Sequence, residues 1–162
     1  MSDFIASGLY RTTTPMPGFA ATIPADVLVY VGERPSGERF VVRPGSNRKN
    51  RWFWGEPTLP LVDTGWMWTL RRLRPEGFYT LPDTIELESG GRWLKNAIVQ
   101  LGYNEEGRAI IFIAEDHAAE PRNVLEFARS GRVIDDTLLD RLTWAPILPI
   151  SAPSPELGGD VN

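Results

Sequence analysis

Prolines and glycines are spread along the whole chain, and they limit the length of any regular element. The 162 residues include 14 prolines and 15 glycines. Proline removes a backbone donor and disrupts a helix interior, whereas glycine accepts the conformations that turns require. These residues leave little room for long helices, so the sequence predicts short strands joined by turns.

The clearest pair of strands lies at 27–33 and 39–43. Both segments are rich in β-branched and aromatic residues, which favour strands. The residues between them include Pro35, Ser36 and Gly37, in which proline presets one backbone angle and glycine accepts a positive φ. The pattern predicts a β-hairpin.

Further strands are predicted on both sides of a polar loop at 45–50. The segment 66–73 alternates Trp66, Trp68 and Leu70 with other side chains, which is typical of a strand with one apolar face. The segment 109–113 is the most apolar run, and it lies in a second hairpin that should form the centre of the core. The remaining predicted strands are 51–54, 77–81, 84–87, 93–102 and 108–114, with a turn at 103–107.

The end of the chain favours one short helix and an edge strand. Asp135 and Asp136 precede an apolar face formed by three leucines, and acidic residues stabilise a helix amino terminus. Prolines at 146 and 149 restrict 144–149 to a sheet edge. We expect a mainly β fold, a small antiparallel sandwich or partly open barrel with one short C-terminal helix, with α+β as the alternative. One domain should cover 1–150, followed by a disordered tail at 151–162.

Composition narrows the classes of function. The chain has no cysteine, which excludes disulfides, thiolate catalysis and cysteine-based metal sites. Its net charge is −4, so the overall balance disfavours a nucleic-acid-binding domain. No signal sequence or long apolar run is present, and we expect a soluble cytoplasmic protein that does not enter a membrane.

One region, which we call the Arg/Trp region, combines cations with tryptophans. Cations can follow phosphates while rings stack on bases, as in single-stranded nucleic-acid or anionic-ligand sites. The competing interpretation is structural, because tryptophans at period-two spacing usually point into the core of a β domain. The candidate binding residues are Arg43, Arg48, Lys49, Arg51, Trp52, Trp54, Trp66 and Trp68.

Two groups of acidic residues are weaker candidates for a catalytic or metal-binding site. Glu115, Asp116 and His117 could bind a metal or act as acid and base, but consecutive residues of an extended chain point to opposite faces. Near the predicted helix, Asp135 and its acidic neighbours fit helix capping. Serine-elbow, phosphate-loop and dinucleotide motifs are absent, so we expect no cofactor. We also expect no metal, because the chain has no second histidine to complete a common metal site with His117.

Binding is the leading class of function. The missing catalytic motifs, together with tryptophan and arginine, which are enriched at binding hot spots, favour an accessory protein that binds another protein. Within this class we place first a bacterial immunity protein or an adaptor for a secreted effector. The alternatives are a nucleic-acid or anionic-ligand binder that uses the Arg/Trp region, and a small hydrolase that uses carboxylates such as Glu115 and Asp116.

Overall fold

The computed structural model describes residues 4–115 and 126–146. Of these residues, 41% lie in strands and 8% in two short helices, and the antiparallel sheets do not form a closed barrel. The prediction of a mainly β fold is therefore confirmed. No helix among the described residues is long and apolar enough to cross a membrane.

The elements follow one another closely along the chain. The helices are α1, Thr64–Met67, and α2, Asp136–Arg141. The strands are β1 Gly8–Arg11, β2 Leu28–Glu33, β3 Arg39–Val42, β4 Pro44–Arg48, β5 Arg51–Trp54, β6 Leu59–Pro60, β7 Arg71–Arg72, β8 Gly77–Thr80, β9 Ile85–Glu86, β10 Arg92–Trp93, β11 Ile98–Tyr103, β12 Ala109–Glu115, β13 Glu126–Phe127, β14 Arg132–Val133 and β15 Thr143–Trp144.

The described residues divide into two compact units. The first contains 4–75 and the segment Tyr103–Arg108, and the second contains Glu76–Gly102, 109–115 and 126–146. The single domain at 1–150 stays a prediction, and the tail predicted at 151–162 lies outside the described residues.

The first unit is built on a five-stranded antiparallel sheet in the order β6-β3-β2-β1-β7. The predicted hairpin at 27–43 is confirmed by β2 and β3, in which Val31 lies opposite Val41. Gly37 takes the positive φ of 83° that its turn requires. Val29, Val31 and Val41 belong to a buried apolar cluster on one face of this sheet. Because strand residues alternate between faces, Tyr30 lies on the opposite face.

The loop predicted at 45–50 is wrong, because most of it is strand. Residues from Pro44 to Arg48 form β4, which pairs with β5 as an antiparallel hairpin with a register shift between Pro44 and Ser46. Lys49 and Asn50 form the turn with φ angles of 53° and 65°. Positive φ at both positions is what the common two-residue hairpin turn demands. The strand predicted at 51–54 is confirmed as β5.

The strand predicted at 66–73 is also wrong. The helix α1 covers Trp66, with Asp63 as its N-cap accepting a hydrogen bond from the Trp66 backbone N–H at 2.8 Å. Only Arg71–Arg72 at the end of the segment is strand, and it pairs with β1 at the edge of the sheet. The side chain of Asp63 caps the first turn of α1 and so stabilises a helix at the start of this segment. The alternation of tryptophans with other residues therefore does not produce a strand here.

The second unit contains a sheet in the order β13-β12-β11-β8-β15, with β14 also pairing with β12. Both strands of the second predicted hairpin are inner strands, and Val99, Leu101 and Ile111 are buried. The predicted strand 93–102 is divided, because Trp93 belongs to β10, which pairs with β9. The short helix α2 agrees with the sequence. The edge strand predicted at 144–149 is confirmed only at Trp144, because β15 covers Thr143–Trp144 at the edge of the sheet and 145–146 are not strand. Residues 147–149 lie outside the described residues.

Candidate functional site

The structure separates the eight predicted binding residues of the Arg/Trp region into two locations in the first unit. One group lies in or beside the β4–β5 hairpin, and the other lies at α1. The first group is Arg43, Arg48, Lys49, Arg51, Trp52 and Trp54, and the second is Trp66 and Trp68.

The inner face of the hairpin carries the two tryptophans of β5 and fixes the hairpin to the rest of the unit. Trp54 stacks on Tyr30 with ring centroids 5.2 Å apart and an angle of 26° between the planes. Trp52 donates its indole N–H to the carbonyl oxygen of Tyr103 at 2.7 Å. Both tryptophans are half-buried. They hold the hairpin in place, and their rings are engaged within the protein.

The outer face of the hairpin consists of Ser46, Arg48, Arg51 and Phe53. In the register of the hairpin, Arg48 lies opposite Arg51 and Ser46 lies opposite Phe53. The Arg48 guanidinium carbon lies 5.7 Å from the centroid of the Phe53 ring, within the range of a cation–π contact. Phe53 is 49% exposed, and both arginines are exposed. This outer face therefore joins two cations to an accessible aromatic ring.

The charge of the hairpin contrasts with the charge of the whole chain. Arg48, Lys49 and Arg51 are all cationic, and residues 43–55 include no aspartate or glutamate. Among the described residues, Arg48 and Arg51 form no ion pair within 4.0 Å. The hairpin is a local positive surface on a protein whose net charge is −4.

Arg43 lies at the base of the hairpin and does not join the outer face. Its guanidinium donates to the carbonyl oxygen of Thr22 at 3.1 Å. Its own carbonyl oxygen accepts a hydrogen bond from the Gly55 N–H at 3.0 Å. These contacts give Arg43 a structural role in closing the hairpin.

The second pair of tryptophans does not extend the site. Trp66 is 4% exposed, belongs to the apolar cluster with Val29 and Val31, and donates its indole N–H to the Thr14 carbonyl oxygen at 2.9 Å. It therefore lies on the side of the five-stranded sheet opposite to Tyr30 and Trp54. Trp68 is 62% exposed at the end of α1. The period-two spacing predicted that both tryptophans pack in the core. This prediction is right for Trp66 and wrong for Trp68.

Phe53 is the site residue that the sequence reasoning did not select. The signal was available, because Phe53 stands between Trp52 and Trp54 in a predicted strand and must point to the other face from both.

The acidic candidates are only partly within the described residues. Glu115 is exposed at the end of β12, while Asp116 and His117 lie outside the described residues. Across 4–115 and 126–146, no group of three or more His, Asp or Glu side chains could hold a metal ion. Asp135 caps α2 by accepting a hydrogen bond from the Leu138 N–H at 2.8 Å, in agreement with the capping interpretation.

Comparisons with protein-family models, curated proteins and solved structures returned no match. The function is therefore inferred from the geometry of this chain.

Proposed function

We propose that this protein is a non-catalytic binding protein that docks onto another protein through the outer face of the β4–β5 hairpin. The observation that carries the proposal is the two-sided hairpin. Its inner face is anchored by the Trp54–Tyr30 stack and the Trp52–Tyr103 hydrogen bond, while its outer face presents Arg48, Arg51 and Phe53.

Anchoring favours binding because it reduces the entropy lost when a partner docks. Association costs free energy for every side chain and loop that must be ordered, and a preformed surface lowers this cost. Arginine and aromatic residues are enriched in the small sets of residues that dominate interface energies. The cation–π contact also restricts Arg48 before a partner arrives.

The narrower form of the proposal is a bacterial immunity protein or an adaptor for a secreted effector, acting in the cytoplasm. Small size, the absence of cysteine and a negative net charge support this form. An acidic face on the partner would be attracted to the hairpin and would speed the encounter.

A nucleic-acid or anionic-ligand binder is the second candidate, and the cations of the hairpin favour it. Fewer aromatic rings are available to stack on bases, because Trp54 already stacks on Tyr30 and Trp66 is buried. Bases stack on accessible aromatic faces in single-stranded nucleic-acid sites. The hydrolase alternative based on Glu115 and Asp116 stays a prediction from the sequence.

The test is affinity capture from an extract of the native cells, with three forms of the full chain as bait: the wild type, a hairpin variant and a matched control. The hairpin variant combines Arg48→Glu, Arg51→Glu and Phe53→Ala. The matched control combines Arg92→Glu, Leu94→Ala and Lys95→Glu, which changes the same charge and one exposed apolar side chain in the second unit. Circular dichroism before capture verifies that all three forms are folded.

We expect one stoichiometric protein partner with the wild type and the control, and none with the hairpin variant. Retention of the partner by the hairpin variant contradicts the proposal. Loss of the captured material after nuclease treatment instead supports the second candidate, which also predicts that oligonucleotide binding weakens steeply with salt.

A further inference from the structure

We infer that Arg48 and Arg51 form a clamp for a side-chain carboxylate of an extended acidic peptide segment, with Phe53 receiving an apolar side chain of the same segment. This inference rests on the proposed function and specifies the partner chemistry at the same outer face. The juxtaposition that carries it is the direct cross-strand pairing of two arginines beside an exposed aromatic ring.

The two arginines face one another on the same side of the hairpin. Cβ atoms of directly opposed residues on antiparallel strands lie about 4.5–5.5 Å apart, and opposed like charges repel. Neither Arg48 nor Arg51 has an ion pair to a described residue. A carboxylate placed between the guanidinium groups removes this repulsion and accepts charge-assisted hydrogen bonds from both.

The surroundings of the Phe53 ring favour a peptide ligand over a nucleic acid. The Arg48 guanidinium covers one face of the Phe53 ring at 5.7 Å, so a base would have to displace Arg48 to stack on that face. The exposed remainder of the ring is suited to contact with an aliphatic side chain, which needs no stacking geometry. The other aromatic side chains of β5 are on the inner face.

The distance between Arg51 and Phe53 along β5 indicates the distance between the matching side chains of the ligand. Arg51 and Phe53 are two residues apart on one strand, which corresponds to about 6.4–6.8 Å. An extended peptide places its own residues i and i+2 on one face at the same distance. The matching segment therefore has a carboxylate side chain and an apolar side chain separated by one residue.

The test is an NMR titration of the full ¹⁵N-labelled chain with a synthetic peptide that alternates serine with glutamate and leucine. A second peptide replaces each glutamate with glutamine, and an oligothymidylate of similar length supplies phosphates. The protein variants are R48Q/R51Q and F53A, with R92Q/K95Q as the matched control for exposed cations.

We expect the glutamate peptide to shift amide signals within 44–54 of the wild type and of R92Q/K95Q. Binding should be about ten-fold weaker or more for R48Q/R51Q, since hydrogen bonds to charged groups are lost, and weaker for the glutamine peptide. Unchanged signals at 44–54, equal binding of both peptides, or tighter binding of oligothymidylate at these amides overturns the inference.

Failure of the carboxylate clamp can be separated from failure of the proposed function. A protein partner captured by R48Q/R51Q but lost with F53A preserves docking through the hairpin and rejects the clamp. A partner retained by both variants rejects the hairpin as the docking surface.

Discussion

Trp54 stacks on Tyr30 with ring centroids 5.2 Å apart, and this contact joins the β4–β5 hairpin to the five-stranded sheet. An isolated two-stranded hairpin is at best marginally stable in water, so it needs packing against another element. Tyr30 supplies that packing from the face of the sheet opposite to the apolar cluster of Val29 and Val31. This stack, together with the Trp52–Tyr103 hydrogen bond, therefore sets the direction in which the hairpin presents its outer face.

The contact between Trp54 and Tyr30 should give a measurable coupling free energy in the unfolding of the protein. In a double-mutant cycle with Trp54→Ala and Tyr30→Ala, we expect about 0.5–1.5 kcal/mol of coupling in the free energy of unfolding, as for other aromatic pairs. Urea unfolding of the wild type, both single variants and the double variant measures it. Phe53→Ala combined with Tyr30→Ala is the matched control, because Phe53 lies on the outer face. Additive effects for Trp54 and Tyr30 would contradict this account.

A close approach of two glycines at the base of the hairpin should make Gly45 sensitive to substitution. A Cβ atom at Gly45 would lie 2.9 Å from the Gly55 Cα and 3.0 Å from its nitrogen. These are backbone atoms, so no side-chain rotation relieves the clash. We expect Gly45→Ala to lower the free energy of unfolding by about 1–3 kcal/mol, the usual cost of overpacking.

Gly91→Ala is the matched control for Gly45→Ala. Its Cβ would meet the Leu87 Cδ1 at 3.6 Å, which is an ordinary van der Waals contact. We expect a change within about 0.5 kcal/mol, as for most surface substitutions. Urea unfolding of both variants provides the comparison, and equal losses of stability would rule out the backbone contact as the cause.

The Asp135 cap should contribute measurably to α2. Its carboxylate accepts a hydrogen bond from the Leu138 N–H at 2.8 Å. Replacement of an N-cap aspartate by alanine typically costs about 1 kcal/mol, whereas serine keeps an acceptor at this position. We therefore expect Asp135→Ala to lower the midpoint of thermal unfolding and Asp135→Ser to restore most of the loss. A serine variant as unstable as the alanine variant would show that capping is not the cause.

Elements with strong local signals were predictable from the sequence. The hairpin at 27–43 combines β-branched strands with Gly37 at a positive φ, and α2 begins at the acidic cap expected for it. β4 was not predictable in this way, because Pro44, Gly45 and Asn47 disfavour strands. It forms because β5 supplies a pairing partner and the intervening turn accepts positive φ.

The candidate site was only partly predictable, because closeness in sequence does not decide which face a side chain occupies. The Arg/Trp region contains the exposed cations Arg48 and Arg51, but its tryptophans serve different parts of the first unit. Trp54 anchors the hairpin, whereas Trp66 enters the apolar cluster on the other side of the sheet. The local Asp63 cap, which starts α1, was the signal that could have separated Trp66 from the predicted strand.

Burial of Tyr10 should make the stability of the protein fall in alkaline solution. Burial raises the pKa of the Tyr10 phenol above its ordinary value of 10.0, although the charges of Arg72 and Arg39 oppose the shift. Its hydroxyl donates to the Ala6 carbonyl oxygen at 2.8 Å. As pH rises above about 10, the unfolded chain loses this proton before the folded chain does. The contribution of Tyr10 is therefore complete below pH 10 and is lost as pH rises through the folded-state pKa.

Tyr10→Phe isolates this contribution, because phenylalanine keeps the ring and removes the ionisable hydroxyl. Urea unfolding of the wild type and the variant at about pH 8 and about pH 10.5 gives the loss of stability for each. We expect the wild type to lose more than the variant between these two values. The variant should also start from a lower stability at the lower pH, because the hydrogen bond to Ala6 is gone. Equal losses in both proteins would mean that the buried phenol does not link folding to pH in this range.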